Sequence, residues 1–138
     1  MKSPHKNKTL ATLFAFALGG LGIHRFYLYG KTNPPGWLHL ASIPLSVWAS
    51  TTDAFHISMF FAAPFVMSAL AGFIEALVIG LTSDEMWDAV HNRDSGLQSQ
   101  SRWPLALLLV LTLGVGATAL IASIARTFDL LLTGGAFG

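Results

Sequence analysis

Cysteine is absent from the 138 residues, which excludes disulfides, thiolate metal sites and cysteine nucleophiles. It says nothing about compartment, because a cysteine-free chain suits either redox environment. Charge is scarce as well. Asp, Glu, Lys and Arg make up only 11% of the chain, against roughly 25% in soluble domains, so polar surface is too limited to cover a globule in water. The eight Lys and Arg are spread along the whole length and the net charge is +1, so no basic patch for a phosphate backbone can be assembled and nucleic acid is not an expected partner. Internal repeats and low-complexity tracts are also missing, and nothing marks a strong domain break.

What is present is apolar. Hydrophobic residues reach 53%, and the four tryptophans, Trp37, Trp48, Trp87 and Trp103, each lie at or near the edge of an apolar run, where an indole prefers the headgroup layer. The basic head, residues 1–8, precedes a first run from Thr9 to Ile23, about 22 Å of helix, which reaches across the ~30 Å hydrocarbon core only by continuing towards Tyr29. A basic head before a short apolar run also has the pattern of a signal peptide. The second run, Gly36 to Ser50, is apolar but holds His39, Ser42, Pro44 and Ser46, so it either spans or only dips in, with a kink at Pro44. Ile57 to Leu81 is the clearest span, interrupted by Pro64 and Glu75. Residues 83–91 read as a short helix on the membrane surface, with Thr82 and Glu85 at capping-box spacing and Met86, Trp87 and Val90 on one face. A polar loop, 93–102, leads to a last span over 103–125, bracketed by Arg102 and Arg126, and a short tail over 126–138.

Two stripes of small residues allow helices to approach closely in lipid: Ala11, Ala15 and Gly19 in the first run, and Ser68, Gly72, Ala76 and Gly80 in the third. Glu75 is the most expensive residue, since an ionised carboxylate in hydrocarbon must be paired, protonated or hydrated. Arg25, at the end of the first run, is its natural partner because a guanidinium can grip a carboxylate with two bonds. The two meet on one side of the membrane if the second run spans, and are held apart if it only dips. Counting Lys and Arg for three or four spans leaves too small a bias to fix this topology.

Other chemistry finds little support. His24, His39 and His56, with Glu75 and Asp53, are separated by fifteen and seventeen residues, which matches no ligand spacing on a helical turn, so no metal is expected. The glycines "GGLG" lack the remaining residues of a dinucleotide or phosphate loop and follow no strand, so no cofactor is expected. Nothing marks a serine as activated, so no catalysis is expected either.

The stretch "KNKTLATLFAFALGGLGIHRFYLYGKT" resembles the signature of the two-transmembrane (TM-two) domain family. Lys6, Lys8, Gly19, Gly20, Gly22, His24, Arg25, Phe26, Tyr27, Leu28 and Gly30 fit its pattern, with Tyr29 as an extra residue. "FIEALVIGLTSDEMWDAVHN" is similar to the family's second helix, with Glu75 in the place of its acid and Gly80 after it. The resemblance covers residues 6–92, the membrane domain being 9–92. It implies a membrane protein with no established activity or cofactor. Arg25 would then hold a membrane-surface turn made with His24, Phe26, Tyr27, Tyr29 and Gly30.

The expectation is an all-α integral membrane hairpin or bundle of three spans plus one span or re-entrant segment. Its expected role is a non-catalytic accessory or packing subunit; the alternative is a small transporter or proton-relay component using Glu75. Lipid and another membrane protein, or a second copy, are the expected partners. The expected location is a bacterial inner (plasma) membrane with the N-terminus cytoplasmic.

Overall fold

A computed structural model describes residues 4–51 and 58–137, without the side chains of 58–61, and every regular element in it is helical. Asn7 starts α1, Lys8–Leu18, by accepting the Leu10 amide at 3.0 Å. The helix does not continue to Tyr29. A 3-10 turn, Gly19–Leu21, leads to Gly22 at φ 71°, a left-handed conformation that a side chain resists; a Cβ there would also lie 2.8 Å from the Gly36 carbonyl oxygen.

From Gly22 the chain reverses. Helix α2, Ile23–Tyr29, runs back beside α1, with the Phe14 and Tyr27 rings edge to face at 5.5 Å, the Tyr27 hydroxyl accepting the Asn7 amide at 2.9 Å, and the Lys6 ammonium donating to the Leu28 carbonyl. The expected first span is thus a short helical hairpin that returns to its starting end. Glycine at three of the four positions 19–22 weakens the helix by roughly 1 kcal/mol each and supplies the turn.

Helix α3, Pro34–Ser50, is opened by Asn33, which accepts the Gly36 amide at 3.0 Å, with both prolines tolerated in the first turn. Helix α4, Ser58–Leu81, is the centre, packed by α1, α3 and a last helix, α6, Trp103–Thr133. Pro64 disturbs its early turns, and there the Phe65 amide donates to Ser46 Oγ of α3 at 3.2 Å. All three neighbours run antiparallel to α4. Gly19 meets Gly72 while Thr12 meets Gly80; Ser46 lies at Phe65 while His39 lies at Ser68; Leu109 covers Gly80 while Phe73 lies on Gly116.

Two helical stretches among the described residues are long and apolar enough to cross a membrane, Ala62–Leu81 and Trp103–Thr133. This corrects the expected three spans, because the first run is spent on a hairpin. The last helix runs beyond Ala125 through Arg126, whose guanidinium is held by Asp129 at 2.6 Å, and ends at Gly134 in the left-handed region.

Helix α5, Asp84–His91, is capped by Ser83, one residue later than the expected Thr82, with Ser83 Oγ accepting the Met86 amide. Its expected face is divided between core and surface. Trp87 is buried and donates its indole N–H to the Lys6 carbonyl at 3.0 Å, whereas Met86 and Val90 are exposed. Trp87 therefore belongs to the core beside Ala11 and Leu28 and not to the headgroup layer, unlike the exposed Trp37, Trp48 and Trp103. Asn92 completes the clamp on the head, accepting the Lys6 amide at 2.7 Å and donating to its carbonyl at 3.1 Å.

Candidate functional site at Glu75

The two small-residue stripes face each other. Ala11, Ala15 and Gly19 are buried on α1 and its turn, and Ser68, Gly72, Ala76 and Gly80 are buried on α4. At Gly19 and Gly72 the backbones touch: a Cβ on Gly72 would lie 2.6 Å from Gly19 Cα. Contact this close is how helices associate in lipid, where hydrophobicity gives no drive.

The contact fixes the tip of the hairpin against α4 and so brings the first turn of α2 to Glu75, one turn along α4 from Gly72. Arg25 Nε donates to Glu75 Oε1 at 2.8 Å and to Oε2 at 3.0 Å, and Nη2 also bonds Oε1. The first span need not be crossed for the two to meet, because α2 returns along it; the expectation that a merely dipping second run holds them apart fails for that reason. His24 sits one residue earlier, and its Nε2 bonds Oε2. It is 1% exposed, a core residue in place of the surface histidine expected, and its Nδ1 has no hydrogen-bond partner among the described residues.

His39 reaches the same carboxylate from α3. Its Nδ1 lies 2.8 Å from Ser68 Oγ, and Ser68 gives its one proton to the Gly20 carbonyl at 2.8 Å. His39 Nδ1 is therefore the donor, which leaves Nε2 of the neutral ring as a lone pair facing Glu75 Oε1 at 3.7 Å. The same bonding argues against Ser68 as a nucleophile, since its hydroxyl proton points to a carbonyl and not to the imidazole. The two imidazoles meet edge to face, 5.8 Å between centroids.

The rest of the expected surface turn is helix α2 itself. Phe26 packs edge to face on Trp37 at 5.4 Å, Tyr27 is fixed between Phe14 and Asn7, and Tyr29 is exposed beside the His91 ring; Gly30, at φ 77°, ends the helix. His56 and Asp53 lie outside the described residues.

Spacing concealed the roles of His24, His39 and Ser68. Fifteen residues with a turn between them carry no helical register, and only the folded hairpin aligns the two histidines. One signal did exist: His39 lies inside an apolar run, and a polar ring there needs a partner just as Glu75 does.

Outside the apolar helices, Lys8 lies at the start of α1 and donates to the Thr82 carbonyl at 2.8 Å and to Asp84. The Lys8 ammonium, helped by the Ser101 hydroxyl, holds the Asp84 carboxyl down at about 2.

A long apolar helix at the centre, a glycine-to-glycine contact on it and a carboxylate neutralised within it define a small helical membrane protein. The family model of the TM2 domain matches residues 4–51, the stretch that holds the α1–α2 hairpin and α3, whereas α4 with Glu75 lies beyond it. No curated protein and no solved structure matches the chain.

Proposed function

We propose that this protein is a non-catalytic packing or accessory subunit of a membrane complex in a bacterial inner membrane. One observation carries the reading. Along its 31 residues α6 buries only Leu105, Leu108, Thr112 and Leu130, and its outer side is a shallow groove of Gly114, Val115, Thr118, Ala119 and Ala122. Small residues along such a groove admit the backbone of another helix, from another membrane protein or a second copy. A Cβ at Gly114 meets nothing within 4 Å, so Gly114→Leu fills the groove without touching the fold. After mild solubilisation, a companion at fixed stoichiometry should be lost from Gly114→Leu at a thermal midpoint no lower than that of the wild type. A wild-type chain that purifies alone, or a companion indifferent to the substitution, would refute the role.

Charge supports an orientation. Lys6, Lys8, Lys31, Arg93 and Arg102 gather at the Leu81 end of α4, with Arg126 towards the far end of α6. This asymmetry supports a cytoplasmic head under the positive-inside rule. The cysteine-free sequence makes the check clean: Gln98→Cys should react from the cytoplasmic side and Ala136→Cys from the other, and labelling from one side would sink the topology.

A second reading, a small transporter or proton-relay component, draws support from the two imidazoles at Glu75. Glu75→Gln would then abolish a flux in vesicles while assembly survives; equal loss of folding would leave only the structural pair.

A further inference from the structure

The geometry points to a binding site for a first-row divalent metal ion, of the zinc type, formed by His24, His39 and Glu75. One ligand atom from each residue lies within 4.8 Å of the other two. Two imidazole nitrogens and one carboxylate are a donor set suited to zinc and its neighbours in the series. Metal–nitrogen bonds of about 2.0–2.1 Å require His39 to draw in and His24 and Glu75, now in direct contact, to part around the ion, an adjustment of side chains on three separate helices.

Three features favour an ion over an empty contact. First, the hydrogen bond from His39 Nδ1 to Ser68, which itself bonds the Gly20 carbonyl, fixes the tautomer and turns the Nε2 lone pair towards the carboxylate. This is the outer bond by which metal-binding histidines are oriented. As the site stands, that lone pair faces the Glu75 carboxylate, whose nearer oxygen, Oε1, is at 3.7 Å and already held by Arg25, and a cation on the free side of the carboxylate would give the ring a partner. Second, Arg25 binds chiefly through Oε1, leaving Oε2, the oxygen beside His24, for the ion and making Arg25 an outer partner of a ligating carboxylate. Third, His39 and Ser68 also line a cavity of 280 Å³ between α3 and α4, which leaves the His39 ring room to shift without unfolding.

Binding would use the Nε2 lone pair of His24, its one proton then lying on Nδ1, the nitrogen that has no hydrogen-bond partner among the described residues. Zinc is the probe. The full chain, with any affinity tag removed, is stripped with chelator in detergent micelles and dialysed against Zn²⁺. One ion per chain is expected, with His39→Ala binding at least about tenfold more weakly, while His5→Ala with His91→Ala binds as the wild type does. No zinc on the wild-type chain, or zinc retained by His39→Ala, overturns the site. X-ray absorption of the zinc-loaded wild type guards against a variant that fails to fold: two imidazoles in the coordination shell are expected, and a shell without them refutes the assignment. Because zinc content is read without any companion and His39 lies away from the α6 groove, this test is independent of the proposed subunit role.

Discussion

Helices α1 and α6 both lie along α4, and they are held there by opposite means. The hairpin of α1 and α2 is pinned by backbone on backbone at Gly19 and Gly72, and by an acid shared among Arg25, His24 and His39. The outer helix is pinned by single side chains in notches, Leu109 over Gly80 and Phe73 against Gly116, and its own ion pair, Arg126–Asp129, lies within one helix. The difference separates a part that cannot be rearranged from a part that can be. A backbone contact has no rotamers to yield, and a buried carboxylate cannot be left unpaired in hydrocarbon. Leucines on an outer stripe can repack or exchange neighbours at little cost. The rigid unit is therefore the hairpin with α4, and α6 is the helix with more freedom to repack.

Charge removal breaks the comparison most sharply. Arg25→Ala strands Glu75 with only histidines for company and should cost about 3 kcal/mol of unfolding free energy in detergent, whereas Arg126→Ala, which breaks a pair within one helix, should cost less than about 0.5. Combining Arg25→Ala with Glu75→Ala should lose less than the sum of the two, since the second change removes the stranded charge. Additive losses would show that the two residues do not act as a pair, and equal costs at Arg25 and Arg126 would erase the distinction between the two regions.

Glycine substitution sharpens it further, because the expected effects differ in sign. Gly72→Ala drives a methyl into the Gly19 backbone and should destabilise by about 1–3 kcal/mol. Gly114→Ala meets open space in the middle of a helix and should stabilise by about 0.5–1 kcal/mol. Thermal or denaturant unfolding of the two variants reads both. Two losses of similar size would mean that α6 is packed as tightly as α1.

Legibility in the sequence followed the same division. Pairing of Arg25 with Glu75 was readable because a lone intramembrane acid demands a cation and few were available, and the two small-residue stripes were readable because their spacing of four is the helix's own period. The reversal at Gly22 was not. Hydropathy sees fifteen apolar residues and counts a span, while the turn depends on three glycines whose effect is conformational. That one misreading hid the rest: with α1 taken as straight, His24 falls at the surface and His39 has no reason to lie beside it. Trp87 was misplaced for a related cause, since an indole at the edge of an apolar run suits a headgroup layer or a clamp on a neighbouring segment equally, and only the Lys6 carbonyl decides between them.

The smallest effect tests a charged tie that joins the two regions. Asp84 accepts from Lys8 at the head of α1 and, through Ser101, from the residues that lead into α6: the Ser101 amide at 2.7 Å and its hydroxyl at 2.6 Å. These bonds favour the ionised carboxylate and depress its pKa from 3.8 to about 2 in the folded chain. A group whose folded pKa is lowered contributes stability that is present above its unfolded pKa and is lost as pH falls through the folded value. The midpoint difference between wild type and Asp84→Asn should therefore hold steady near neutrality, begin to shrink as pH drops towards 3.8, and be largely gone near 2. The carboxylate is partly exposed, so solvent screening keeps the difference small and added salt should shrink it further. A midpoint difference indifferent to pH would mean that Asp84 holds the two halves by hydrogen bonds that asparagine can replace, and that charge plays no part in joining the rigid hairpin to the outer helix.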